Sequence, residues 1–458
     1  MGNPISLGRR NFALLLVGVV LFTLYGSYVP FRYHYRNWGD TVAAFQWAMS
    51  ERLWPESRAD YGANMMLGYP FGFFLLGWLR VDRLNRIMTT LGVALALLPL
   101  CASFAAVVEF GQLYFSGRTC AGSDVVAQTL GATLGMATWT VAGQWLTSQA
   151  RQALAHPNLS GGAVRLLGGY LALLALVEWL PLDLTASPAD LYRRVRDGYV
   201  TLMPFGELNS HTVDPLKKGQ DWCELLLLHV PVGMLLIAVG GRWRRWESWT
   251  LVLGFGLAVG LVLETGQWFV VSRHPSTSDV LISATGILLG WAATRALVEP
   301  SARRLPLTYT IAYGAVWLVL LGVVHWQPFD FDIDLVGARL SRVDWLPLSG
   351  QAEKNYLWAL NEVLAKFMLF PPLGALVVWA SAKPELRSAE IFGATLCGLV
   401  AGLLEVGQLA TPLRYGSPTD VLFGVVGGWL GAAMMRRVLT ATAANGYQAR
   451  GELTRTRR

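Results

Sequence analysis

About twelve stretches of this 458-residue chain are apolar over roughly the 20 residues that a membrane-spanning helix needs. They lie near 12–30, 64–80, 87–114, 124–146, 164–182, 222–240, 246–271, 279–298, 306–327, 356–380, 389–410 and 420–438. In hydrocarbon no water is present to satisfy backbone N–H and C=O groups, so such runs must be helices. Composition agrees: 15% of residues are charged, against roughly 25% in soluble domains. Nineteen Trp and fifteen Tyr suit a protein with two membrane interfaces. The expected fold class is all-α, a polytopic helical membrane protein.

A second feature divides the chain. EFGQLYFSGRTCAGSDV from Glu109, ETGQWFVVSRHPSTSDV from Glu264 and EVGQLATPLRYGSPTDV from Glu405 share one spacing, E-x-G-Q-x5-R-x5-D-V. Seven residues after each Asp a G-x3-G follows, at Gly131 and Gly135, Gly286 and Gly290, and Gly427 and Gly431. The residues between differ, as in an old internal repeat with a retained skeleton. The copies predict three tandem four-helix repeats at 1–155, 156–302 and 303–440, then a basic cytoplasmic tail at 441–458.

The net charge of +7 does not imply nucleic acid as a partner. Basic residues gather in alternate connections: Arg9 and Arg10, Arg80 and Arg83, Arg242 to Arg245, Arg303 and Arg304, and a tail ending at Arg457 and Arg458. Short basic loops stay in the cytoplasm. Both termini are therefore expected inside the cytoplasmic (inner) membrane, with the motif loops extracytoplasmic. No cleavable signal peptide is expected, because the first apolar run lacks a small-residue cleavage site before a soluble domain.

Each predicted repeat opens with a helix ending in a proline motif: PFRY at Pro30, PLDL at Pro181, PFDF at Pro328. An outer loop with an amphipathic stretch follows, from Asp40, Ser187 and Asp334. Arg on one face and Trp, Leu and Phe on the other suit a helix lying in the headgroup layer, or a lid packed on the bundle. The second helix carries P-x-G at Pro70, Pro231 and Pro372, where proline frees a backbone carbonyl. Polar residues lie nearby: Asn64; Glu224 and His229; Asn361, Glu362 and Lys366. The third helix ends in the Glu and Gln, which share a face. The fourth begins with Ser123-Asp124, Ser278-Asp279 or Thr419-Asp420.

Four cysteines and six histidines give no metal-ligand spacing. Cys101 and Cys397 fall in apolar runs as small buried residues, and Cys120 and Cys223 near the outer side are candidates for a disulfide. No P-loop, dinucleotide fingerprint or nucleophile elbow occurs. The expectation is no metal and no cofactor.

The E-x-x-Q, Arg, Asp and G-x3-G pattern, with its upstream PF and P-x-G helix, resembles the VanZ-like membrane family. That family has one four-helix unit, and this chain resembles three in tandem. The resemblance implies a setting in the cell envelope: glycopeptide (teicoplanin) resistance and envelope-polysaccharide genes.

Each motif residue has a functional and a structural reading. Glu109, Glu264 and Glu405 are costly inside a membrane and mark function by default, or they lock the hairpin by pairing with their own arginines. Arg118, Arg273 and Arg414 can clamp a phosphate or carboxylate, or pair with Glu or Asp. Asp124, Asp279 and Asp420 can cap a helix, or join the glutamates as acid–base groups, since glycosyl chemistry needs two positioned carboxylates. Gln112, Gln267 and Gln408 can orient a ligand or bond a neighbouring loop, and the glycines are packing residues.

The expected role is to bind or process an amphiphilic envelope molecule at the outer face: a lipid-linked glycan, peptidoglycan precursor, lipid headgroup or glycopeptide. Membrane lipids and envelope-biosynthesis proteins are the expected partners. A transporter or flippase and a non-catalytic scaffold are the alternatives. Even helix number gives the repeats one orientation, unlike the inverted repeats common in secondary transporters.

Overall fold

The computed structural model describes residues 8–50, 58–83, 87–155, 159–209, 213–240, 248–298, 307–341, 343, 345–347, 356–381, 386–412 and 416–455. Arg414 lies outside these residues, as do the loop 241–247, Arg303, Arg304, Arg457 and Arg458. The described residues form helices, with isolated bridges and no strand.

The first repeat runs α1 (Arg9–Tyr28), α2 (Trp38–Ser50), α3 (Arg58–Arg80), α4 (Ile87–Gln112), α5 (Gly122–Thr138), a π turn (Trp139–Gly143) and α6 (Gln144–Ala155). The second runs α7 (Leu159–Trp179), α8 (Pro188–Arg196), a 3-10 turn (Gly206–Asn209), α9 (Pro215–Gly240), α10 (Trp249–Gln267) and α11 (Thr277–Val298). The third runs α12 (Leu307–Trp326), α13 (Asp334–Leu340), α14 (Tyr356–Leu369), α15 (Pro371–Ala380), α16 (Arg387–Leu409) and α17 (Pro418–Arg455). Each repeat places four long helices at equivalent positions, with a short loop helix (α2, α8 or α13) after the first. In the third repeat Pro371 and Pro372 break the second helix into α14 and α15, since neither offers an amide to the preceding turn.

Seven helical segments among the described residues are long and apolar enough to cross a membrane: Arg9–Tyr28, Ile87–Gln112, Pro215–Ile237, Trp249–Gln267, Leu357–Ala380, Arg387–Leu409 and Pro418–Arg437. Thr310–Trp326 is a shorter apolar helix. The protein is multi-pass. The chain divides into two compact units. The first holds Met1–His156 with Pro181–Asp183 and Leu348–Ala359; the second holds Pro157–Leu180, Leu184–Pro347 and Leu360–Arg458.

The second and fourth helices of each repeat pack backbone against backbone, and glycine makes this feasible. A methyl placed on Gly135 would lie 2.0 Å from the carbonyl oxygen of Tyr69; on Gly290, 2.0 Å from that of Val230; on Gly431, 1.9 Å from that of Pro371. The P-x-G glycines answer from the other side: a methyl placed on Gly72 would lie 2.0 Å from Ala132 O, on Gly233 1.9 Å from Ile287 O and on Gly374 2.0 Å from Gly428 O. At that approach the glycine Cα–H groups point at carbonyl oxygens of the facing helix, a weak bond that recurs between close helices.

The glycine of E-x-G-Q serves another contact. It takes an aromatic ring from the end of the first helix: Tyr28 on Gly111, Trp179 on Gly266, Trp326 on Gly407. The indoles of Trp179 and Trp326 also donate to Leu263 O and Leu404 O, both at 2.9 Å. After each proline motif the chain turns through a left-handed residue, Phe31 (φ 59°), Leu182 (φ 59°) or Phe329 (φ 64°). That region is uncommon outside glycine, and its presence in three copies marks a turn held by its surroundings. Beyond it the chain runs along the hairpin between the third and fourth helices. His34 N–H donates to Tyr114 O (3.0 Å), Thr185 N–H to Phe269 O (2.8 Å) and Asp332 N–H to Ala410 O (2.7 Å).

Candidate functional site

The three motif glutamates end the third helices. All are buried; Glu109 is 0% exposed. Each carboxylate accepts the backbone N–H of the residue twelve positions on, at the start of the fourth helix: Ala121 (3.2 Å), Ser276 (2.8 Å) and Ser417 (2.5 Å). A helix N-terminus has amides without intrahelical partners and a positive dipole end, so a carboxylate there is well placed. The glutamate therefore ties the end of the third helix to the start of the fourth across the hairpin.

The arginines act on the first helix. Arg118 Nη2 donates to Gly26 O (2.9 Å) and to Val29 O. Arg273 donates through Nη2 to Val177 O (2.9 Å) and through Nε to Leu180 O (2.8 Å). These are equivalent carbonyls at the C-terminal ends of α1 and α7, where helix carbonyls lack amide partners. One of the two sequence readings paired each Glu with its own Arg; in the first two repeats the bonds described above run from these side chains to the main chain.

The loop helices dock on the hairpins through arginines the sequence reading did not single out. Arg194 of α8 donates to Val271 O (2.6 Å) and Arg273 O, and Arg339 of α13 donates to Thr411 O and Pro412 O. They stand 13 and 11 residues after their prolines, so aligning the repeats does not superpose them. Ser187 begins α8 as expected, its hydroxyl accepting from Asp190 N–H at 3.4 Å. In the second repeat Thr201 pairs with Ser276, and Glu207 accepts from Ser276 Oγ and from Ser278 Oγ (2.8 Å).

The aspartates sit in the first turn of the fourth helix, where the dipole favours them, and face the second helix. Asp279 accepts from Lys218 Nζ (3.2 Å) and Trp222 Nε1 (2.9 Å), with the ammonium 5.6 Å from the Trp222 ring centre. Asp420 is paired with Lys366, which also binds Glu362 at 3.0 Å. Asp124 accepts from Ser123 Oγ (3.5 Å) and lies near Asn64. The two lysines come from different turns, seven residues apart when Pro231 and Pro372 are aligned. That same alignment shows a carboxylate ten residues before each proline, at Asp60, Asp221 and Glu362. The sequence reading noted only the last, because it compared letters near the motif and not offsets from the prolines.

The glutamines are buried beside the glutamates. Gln267 Nε2 donates to Glu178 Oε2 (2.8 Å) and Glu264 Oε1 (3.2 Å). Glu178, an acid inside the apolar run of α7, is a further residue the sequence reading passed over. Gln112 and Gln408 are 6% and 4% exposed. In the first repeat Gln128 Nε2 donates to Asn64 Oδ1 (3.0 Å) and Glu109 Oε1 (3.5 Å). Each repeat thus gathers carboxylates with an amide or a lysine under its hairpin.

All four cysteines are free. Among the described residues no three His, Cys, Asp or Glu side chains are grouped to hold a metal ion. Carboxylates and amides at this density accept hydrogen bonds from hydroxyls and amines.

A family model described as VanZ/LLP1 matches the chain three times, over residues 12–143, 167–298 and 310–440. No curated protein and no solved structure matches it.

Proposed function

The chain belongs to the VanZ/LLP1 family, and from that premise we propose that it binds an amphiphilic cell-envelope molecule at the outer face of the membrane. The molecule is a lipid-linked glycan, a peptidoglycan precursor, a lipid headgroup or a lipoglycopeptide. The hairpin ends face outward and both termini lie inside, as the placement of the arginines favours. One observation carries the reading: beneath the hairpin of the first repeat, Gln128 donates to Asn64 and Glu109, with Asp124 close by, within an otherwise apolar bundle. Polar groups at that depth are costly and mark function by default. Carboxylate and amide oxygens match the hydroxyls and amines of a sugar or amino headgroup.

Arg118 and Arg273 bond main-chain carbonyls, so they shape the hairpin. The carboxylates and amides are the groups that meet the headgroup. Asn64→Leu with Gln128→Leu removes the amides without burying a lone charge. In nanodiscs, binding of a fluorescent polyprenyl-diphosphate-linked disaccharide should weaken about tenfold or more, given roughly 1 kcal/mol per lost hydrogen bond. Equal affinity in variant and parent would overturn the reading.

A further inference from the structure

We propose that the first repeat recognises a primary ammonium group on its ligand, held at Asp124 where the third repeat holds the ammonium of its own Lys366. This rests on the headgroup reading above and names the chemistry of the head: an amphiphile that bears a free amine.

Each repeat brings two carboxylates together. One lies ten residues before the second-helix proline, and the other opens the fourth helix: Asp60 with Asp124, Asp221 with Asp279, Glu362 with Asp420. In the second and third repeats a lysine ammonium joins the pair. Lys366 Nζ binds Glu362 (3.0 Å) and Asp420, and Lys218 Nζ binds Asp279 (3.2 Å) beside Asp221. The two lysines stand on different turns, so the ammonium recurs and its stem does not. Two separate routes to one charge show what this pair of carboxylates takes.

The first repeat has neither lysine. Asn64 stands at the position of Lys366, and Ser57 at that of Lys218. Ser123, Asn64, Asp60 and Glu109 surround Asp124, none of them a cation, and Asp124 makes no ion pair among the described residues. Asn64 is held in place, donating to Asp60 O (3.2 Å) and accepting from Gln128 Nε2 (3.0 Å). Its carboxamide stops short of the point that a lysine Nζ reaches. Access differs in the same sense. Asp420, with its lysine, is 4% exposed, whereas Asp124 is half-buried and Asp60 is exposed. A ligand amine entering from the hairpin end can therefore reach the carboxylate.

A primary ammonium brings the charge and the three N–H donors of a lysine Nζ, and its bonds to carboxylates are charge-assisted. An acetylated amine lacks the charge, and a quaternary ammonium lacks the N–H. Neither can stand in for it.

The test uses full-length protein in detergent, titrated with phosphatidylethanolamine, its N-acetyl derivative and phosphatidylcholine, and read by native mass spectrometry. Phosphatidylethanolamine should bind about tenfold or more tightly than the other two. Asp124→Asn should erase that preference. Asn64→Lys, which installs the lysine of the third repeat, should erase it too; if that variant does not fold, Asp124→Asn carries the test alone. Equal binding of the three lipids by the parent, or a preference that survives Asp124→Asn, would overturn the inference. So would tenfold tighter amine binding in Arg58→Gln, because Arg58 would then be the cation of this site. A polyprenyl phosphate carrying a free amino sugar separates the two sources of the amine: displacement of phosphatidylethanolamine by it, and not by its N-acetyl form, assigns the ammonium to a sugar, and no displacement assigns it to a phospholipid. If free and acetylated amines bind alike while the lipid-linked disaccharide still binds through Asn64 and Gln128, the ammonium is removed and the headgroup reading stands. An amine preference without disaccharide binding would instead remove the glycan and leave the ammonium site.

Discussion

Replacing Gly290 by alanine puts the architecture at risk with one methyl group. The new Cβ would lie 2.0 Å from the carbonyl oxygen of Val230, on the backbone of α9. Ordinary contact begins near 3.4 Å, so α11 and α9 must part by about 1.4 Å along that line. Backbone cannot rotate aside as a side chain can. A gap of about 0.5–1 Å already forfeits a quarter to a half of each dispersion contact, and overpacking of this kind costs about 1–3 kcal/mol. Gly254 of α10 is the control, because a methyl there meets nothing within 4 Å. Gly254→Ala should be neutral or stabilising by up to about 1 kcal/mol, through helix propensity. The two substitutions thus have opposite expected signs for identical chemistry. Gly135→Ala and Gly431→Ala should follow Gly290→Ala, since their methyls would meet Tyr69 O and Pro371 O at 2.0 and 1.9 Å. Thermal unfolding in one detergent, followed by circular dichroism, measures all four. If the three interface variants melt with or above the parent, the close helix contact does not exist as described.

Three further predictions concern the polar network. Lys366→Met should cost about 3–5 kcal/mol, as for removal of one partner from a buried ion pair, because Asp420 and Glu362 lose their ammonium. Adding Asp420→Asn should restore part of the loss in detergent unfolding, and a double variant no better than the single would refute the pairing. Glu264→Gln keeps an oxygen for Ser276 N–H and should cost about 1 kcal/mol, while Glu264→Leu leaves that amide unpaired and should cost about 1–3 kcal/mol; equal melting of the two would deny the amide bond. Burial first, then the charges of Arg194 and Lys218, hold His274 below its usual 6.5. The unfolded chain binds that proton more readily, so the stability linked to His274 is present above about pH 6.5 and falls as pH drops through 6.5 toward the folded value. His274→Gln should flatten that limb of the melting curve against pH, and an unchanged slope would count against the linkage.

The helical class and the three copies were legible because apolar length and a fixed motif spacing are written in side-chain letters. The role of G-x3-G was legible for the same reason, whereas the glycine of P-x-G, which makes the same close contact from the facing helix, was hidden behind its proline. The partners of the charged residues were not legible. Glu264 bonds an amide and Arg273 bonds carbonyls, and backbone groups carry no letter that a sequence pattern can reveal. Arg194 and Arg339 reach the same stretch of hairpin from different turns of their helices, and Lys218 and Lys366 reach equivalent aspartates likewise. A long flexible side chain can span a turn or two, so the repeats meet one electrostatic need from offset positions. The equivalence of Asp60, Asp221 and Glu362 was hidden by a milder version of the same freedom, one extra methylene in the third copy.

The lock made by each glutamate closes within its own repeat, from the third helix to the start of the fourth. A duplicated copy therefore arrives with its hairpin already specified and needs no neighbour to form it. Selection for folding alone is enough to keep Glu, Arg and glycine in every copy, however the copies diverge in task. Folding accounts for the retained letters whether or not a copy also binds through them, and the differing letters are where the copies can part in task. Asn64 of the first copy, aligned with Lys366 of the third, is where specialisation of the copies should be sought.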